Sequence, residues 1–144
     1  MNIATALLVV ESNDSDFLEV ESTVRACGLL NKLIRFFEGE ALVEFLQTAH
    51  GHRPPEENAY LIILATQYKL DDIRRSLQQI KKDEKLREIA VIVLANIADP
   101  LLLHDRAGFR SVILTKPLRQ EGLRSALKKL NLKPPVTSTG SSTN

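Results

Sequence analysis

Five short apolar runs alternate with segments whose apolar residues recur at helical spacing. The runs are nearly continuous in Ala, Val, Ile and Leu, a pattern typical of strands that are covered on both faces. They predict strands at about residues 6–10, 33–37, 60–64, 91–94 and 112–114. Because strands and helices alternate along the chain, the pattern favours an α/β fold with a parallel sheet.

The intervening segments carry the signals that begin and end helices. They predict helices at about residues 15–26, 39–47, 70–82 and 119–130, and a short helix that begins at Asp99-Pro100. Asp14 is the expected N-cap of the first helix, and Gly28 is expected to supply the left-handed residue after it. The second helix is expected to present Ala41, Leu42, Phe45 and Leu46 as one stripe, and the third to present Ile73, Leu77 and Ile80.

Length and composition exclude several classes of protein. The 144 residues predict one domain over 1–132, followed by a Pro-, Ser- and Thr-rich segment, 133–144, that is expected to be a disordered tail or linker. The net charge of +1 and the scarcity of aromatic residues argue against nucleic-acid binding. No run reaches the roughly 20 apolar residues of a membrane span, and the single cysteine, Cys27, fits a reducing compartment. We expect a cytoplasmic protein without a signal peptide.

Three of the predicted strands end in residues that could form one site. Glu11 and Ser12 follow the first strand, Ala65 follows the third, and Lys116-Pro117 follows the fifth. Ligands of open parallel sheets bind at the carboxyl ends of the strands, so we expect these residues to face one crevice.

This layout resembles that of response-regulator receiver domains, the CheY-like family. The segment LQQIKKDEKLREIAVIVL, residues 77–94, is similar to the third helix and fourth strand of that family, and the loop before the third strand resembles that of regulators associated with phytochrome-type kinases. The resemblance implies a flavodoxin-like, doubly wound (βα)5 sandwich. Its five-stranded parallel sheet would have the order 2-1-3-4-5, with five helices around it.

The resemblance also assigns a phosphorylation pocket, and most of that pocket is missing here. The family's acidic pair falls on Glu11 and Ser12, its phosphoacceptor aspartate on Ala65, its switch hydroxyl on Ala95, its lysine on Lys116, and its switch aromatic on Ile113. Alanine has no nucleophilic oxygen and offers no ligand to a metal. We therefore expect a non-phosphorylatable pseudo-receiver without catalytic residues, cofactor or metal, and not an enzyme.

The retained lysine needs a partner in such a pocket. A partly buried ammonium group without a counter-charge is unfavourable, so Lys116 is predicted to pair with Glu11. The Lys116-Pro117 peptide bond is expected to be cis, as the resemblance implies. Thr66 is expected to point away from the crevice, because successive strand residues face opposite sides.

A protein-binding face is predicted on the short helix after Asp99, the last strand and the last helix. Its candidates are Leu101, Leu102, Leu103, Arg106, Arg110, Ile113, Arg119 and Arg124. Three consecutive leucines cannot all face the core from a short helix, because neighbouring helical residues point about 100° apart. The expected partner is a signalling protein such as a histidine kinase or an output protein, and a homodimer stays open.

Two other functions remain open at this point. The interleaved charges of the third helix are best read as a solvated face, but Arg74 or Arg75 would capture an anionic nucleotide if the chain were a ligand sensor. The other alternative is a true phospho-receiver that uses an unusual acceptor.

Overall fold

The computed structural model describes residues 6–49, 60–65, 70–95, 111–130 and 132. The strands are β1 (Ala6–Val10), β2 (Lys32–Phe36), β3 (Tyr60–Leu64), β4 (Ala90–Ala95) and β5 (Ser111–Thr115). The helices within these ranges are α1 (Asp14–Ala26), α2 (Gly39–Ala49), α3 (Leu70–Lys82) and α4 (Gln120–Lys129).

All five strands form one parallel sheet in the order β2-β1-β3-β4-β5, which confirms the predicted topology. Every residue of β1 and β4 is buried, as their unbroken apolar sequences require. The two edge strands, β2 and β5, are only partly buried. The central strands of the sheet therefore lie in the core of the molecule.

Alternate residues of each strand point into two separate core layers. Leu7 and Val9 of β1 pack in the layer with α1 and α4, whereas Leu8 and Val10 pack in the layer with α2 and α3. Both layers consist almost entirely of aliphatic side chains, and each Val, Leu or Ile among them contributes about 1.5–3 kcal/mol when it is fully removed from water. This double burial explains why the strands lack a polar face.

The ends of α1 follow the sequence signals with one correction. The predicted N-cap at Asp14 is wrong, since Asn13 adopts the extended cap conformation and its Oδ1 accepts the Asp16 N–H at 2.9 Å. Asp14 is instead the first helical residue, where its charge favours the helix dipole. Gly28 has φ 84°, so the predicted left-handed position is confirmed.

The buried stripe of α2 differs from the predicted one. Leu42 and Leu46 are buried and Phe45 is half-buried, as expected, but Ala41 is exposed and Val43 is buried in its place. The helix also begins against a buried carboxylate that the sequence did not suggest. The Asp72 Oδ2 atom of α3 accepts the Gly39 N–H at 2.6 Å.

Most other element boundaries lie within about two residues of prediction. β3 and α3 have the predicted bounds, β2 begins and ends one residue earlier, and β4, β5 and α2 are each longer by two residues. The short helix expected after Asp99, the leucines 101–103, Thr66 and the segment 133–144 lie outside the described residues, so those predictions stay untested. No helix within the described ranges is long and apolar enough to cross a membrane.

Candidate functional site

The carboxyl ends of β1, β3, β4 and β5 bring four of the predicted pocket residues to one edge of the sheet. The main chain holds them there, because the Ala65 N–H donates to the Val10 carbonyl and the Lys116 N–H donates to the Ala95 carbonyl, both at 2.9 Å. Glu11, Ala65 and Ala95 are buried. The predicted convergence is therefore present in the fold.

Glu11 and Lys116 form the ion pair predicted from the sequence. The Lys116 Nζ atom lies 3.1 Å from Glu11 Oε1, and the two side chains are 12% and 0% exposed. The second carboxylate oxygen of Glu11 accepts the Asn13 N–H at 2.9 Å, and Asp16 Oδ2 lies 3.7 Å from the same ammonium group. The Lys116-Pro117 peptide bond is cis, as expected.

This pair crosses the sheet over two alanines. Since β3 and β4 lie between β1 and β5, the ends of β1 and β5 are about three strand spacings, or roughly 14 Å, apart. Ala65 directly follows β3, and Ala95 is the last residue of β4. Their side chains extend no further than a methyl group, which leaves the lysine room to reach Glu11.

Sequence reasoning missed a second cation that fixes the turn after β1. The Arg35 Nε–H donates to the Glu11 carbonyl at 3.0 Å, and Arg35 Nη2 forms an ion pair with Asp14 at 2.9 Å. Its guanidinium carbon also lies 4.7 Å from the ring centre of Phe17 and 4.2 Å from that of Phe37, in the range of cation–π contact. An arginine that interrupts the apolar run from Leu33 to Phe37 was the available signal.

The charged groups at this edge of the sheet form an ion pair in which Lys116 neutralises Glu11. Ser12 is half-buried, the side chain of Ala65 has no oxygen, and the carboxylate of Glu11 contacts Lys116 and the Asn13 N–H. Within the described parts of the chain, no group of three or more His, Cys, Asp or Glu side chains is placed to hold a metal ion.

The residues predicted for the partner face are only partly described. Ile113 is half-buried against the core layer of α2 and α3, whereas Arg119 and Arg124 are exposed at the start and middle of the last helix. The structure therefore does not bring Ile113 and the two arginines together as one exposed surface. Leu101, Leu102, Leu103, Arg106 and Arg110 lie outside the described residues.

A shallow cleft of about 220 Å³ lies beside Lys116, between β5 and the start of α4. Its lining consists of Leu114, Thr115, Lys116, Pro117, Leu118, Arg119, Glu121 and Gly122.

Cys27 packs half-buried against the core, as a small apolar side chain would. Burial raises the pKa of the Cys27 thiol, and the charge of Arg124 opposes that rise. A thiol with a raised pKa is a poor nucleophile at neutral pH.

These features define the class of the molecule: the chain has the fold of response-regulator receiver domains. It is similar to the bacteriophytochrome response regulator AtBRR, with a TM-score of 0.76 and 21% identity over 94% of this chain and 99% of that one. It is similar to the bacteriophytochrome response regulator RtBRR, with a TM-score of 0.76 and 19% identity over 95% of this chain and 84% of the other. A two-component response regulator from Legionella pneumophila gives a TM-score of 0.69 and 18% identity over 88% of this chain and 98% of that one. No protein-family model and no curated protein matches the chain.

Proposed function

We propose that this protein is a receiver-like signalling module of two-component type that accepts no phosphoryl group and acts through protein interaction. The observation that carries the proposal is the alanine at the end of β3, with the neighbouring lysine already bound to Glu11. Phosphoryl transfer to a receiver needs a carboxylate nucleophile, a divalent cation and a free cation to receive the charge. The proposed module is not an enzyme, requires no cofactor and works in the cytoplasm.

The first prediction is that the protein forms no phosphoryl adduct. Incubation with acetyl phosphate and Mg²⁺ should leave the intact mass unchanged, because no carboxylate stands at position 65. A receiver that retains its aspartate serves as the positive control in the same buffer. A stable increase of about 80 Da would contradict the proposal and support a receiver with an unusual acceptor, which peptide mapping would then locate.

The second prediction is that Ala65→Asp alone does not restore phosphorylation. The new carboxylate would still lack a second acid at Ser12 and a hydroxyl at Ala95, and it would compete with Glu11 for Lys116. Without a metal site the developing charge of the transition state stays unstabilised. The measurement is the rate of adduct formation with acetyl phosphate, and the comparison is Ala65→Asp combined with Ser12→Asp. Rapid labelling of the single variant would show that the site retains its function.

The proposed partner is a signalling protein such as a histidine kinase or an output protein. The likeness to two bacteriophytochrome response regulators makes a phytochrome-type kinase the first partner to test. Among the described residues, the cleft between β5 and α4, with Arg119 at its rim and Arg124 further along the same helix, provides a surface for this contact. Arginine is enriched among the residues that contribute most to binding at protein interfaces.

A further inference from the structure

The large apolar side chains that are exposed in the described parts of the chain all border α1 and β2. Leu18 lies on α1 and is 60% exposed, whereas Leu30 and Phe37 lie just before and just after β2 and are 73% and 55% exposed. Leu33, which is half-buried, lies between the last two. We call these four residues the α1–β2 patch. Exposed apolar residues that collect on one side of a molecule mark an interaction surface.

Main-chain and side-chain contacts place Leu18 on the side of α1 that faces β2. Asp14, one helical turn before Leu18, forms its ion pair with Arg35 of β2. Arg25, two turns after Leu18, donates from Nη1 to the Leu29 carbonyl at 2.8 Å, in the turn before β2. Residues four and seven positions apart share one side of a helix. Leu18 therefore lies between two contacts that join α1 to β2.

The patch lies above the face of the sheet that α1 covers, and not in the plane of the sheet edge. The Arg35 guanidinium carbon contacts the ring of Phe37 and also that of Phe17 on α1, and Leu33 packs in the same core layer as α1. An extended segment that paired with β2 would lie in the plane of the sheet and leave Leu18 uncovered. A helix, about 10 Å wide, would cover the patch if it lay alongside α1.

The charges around the patch favour a basic partner. Residues 12–40 contain six of the 18 acidic residues of the chain but only three of its 19 basic residues. Two of those three, Arg25 and Arg35, already bond within the subunit, whereas Glu19 and Glu38 are exposed next to residues of the patch. This charge repels an anionic membrane or a nucleic acid, and a two-fold contact with a second copy would bring carboxylates together.

We propose that a basic amphipathic helix of a partner protein packs on the α1–β2 patch. Its apolar stripe covers Leu18 and Phe37, and lysine or arginine side chains beside that stripe face Glu19 and Glu38. The seven residues from Leu30 to Phe37 extend over about 20 Å, which matches about four turns of such a helix. The patch and the cleft between β5 and the last helix lie at opposite edges of the sheet, so this is a second binding surface.

Amide chemical shifts of the isotope-labelled protein test the position of the site. The probe is a helical peptide of about 18 residues with a leucine stripe flanked by lysines, and the control peptide has glutamate at each lysine position. The basic peptide should shift amides within residues 14–40 and leave those of 120–129 unchanged, and the acidic peptide should not shift residues 14–40. Shifts confined to another face, or equal shifts at the patch with both peptides, would overturn the proposal.

Substitutions separate the patch from general charge attraction. Leu18→Ser should weaken binding of the basic peptide about tenfold, whereas Gln79→Ser, on the exposed side of α3, should leave it unchanged. Glu38→Lys should weaken it about fivefold and more than Glu84→Lys, which makes the same change of charge after α3. Circular dichroism confirms the fold of each variant. Equal effects of a patch variant and its control, or a dimer of the chain that Leu18→Ser dissociates, would refute a basic helical partner.

Discussion

Replacing Lys116 with methionine should destabilise the protein by about 3 kcal/mol, because it leaves the buried carboxylate of Glu11 without its cation. Glu11 is fully buried and would keep only the hydrogen bond from the Asn13 N–H. Asp16, whose carboxylate is 3.7 Å from the lysine ammonium, would lose the same cation. Urea denaturation at neutral pH measures the loss as a lower free energy of unfolding.

The matched variant is Glu11→Gln combined with Lys116→Met. Glutamine can still accept the Asn13 N–H and carries no charge, so the double variant should be more stable than Lys116→Met alone. This ordering separates the effect of an uncompensated charge from the loss of lysine packing. If Lys116→Met matched the unaltered protein in stability, the ion pair would contribute nothing and the buried carboxylate would have another partner.

Gly39→Ala should destabilise the protein by about 2 kcal/mol, because a methyl group at this position would overlap the Ser76 side chain. The new Cβ would also lie 3.0 Å from Asp72 Oδ2, the atom that accepts the Gly39 N–H. Ser76 cannot turn aside without losing its own bond to the Asp72 carbonyl, at 2.8 Å. The substitution therefore separates α2 from α3 or breaks the cap that joins them, and thermal and urea unfolding both report the loss.

Gly122→Ala is the control for this substitution, since it makes the same change in another helix. Its Cβ would lie 3.8 Å from Leu114 Cδ1, an ordinary contact, so alanine should stabilise α4 by about 0.5–1 kcal/mol through its higher helix propensity. Ser76→Ala in the Gly39→Ala protein should recover part of the lost stability. Equal effects of the two glycine substitutions would show that contact with α3 is not what requires glycine at position 39.

The sequence predicted those features that depend on hydrophobic periodicity and on the order of elements. β3 and α3 were located to the residue, because an apolar run and a stripe of three aliphatic residues define them. The Glu11–Lys116 pair also followed from the sequence, since parallel strands must bring their carboxyl ends to one edge and each of the two charges needs a partner.

Contacts between elements that are distant in the sequence could not be predicted from hydrophobic periodicity. Asp72 was assigned to a solvated helix face because its neighbours are charged, but it is buried as the cap of another helix. Arg35 was not singled out from the sequence, and the fold places its guanidinium within cation–π distance of both Phe17 and Phe37. Local composition does not show which element will pack against a polar side chain, so sequence reasoning underestimates buried polar groups.

The bridge from Glu11 to Lys116 also has a consequence for the order of folding. The two residues are 105 positions apart, and the strands that carry them are separated by β3 and β4. Their side chains can meet only after four strands are aligned, so this contact belongs to the last stage of assembly. An interaction that is absent from the folding transition state affects the rate of unfolding and has little effect on the rate of folding. The ion pair between Glu11 and Lys116 should therefore lower the rate constant of unfolding and leave the rate constant of folding almost unchanged.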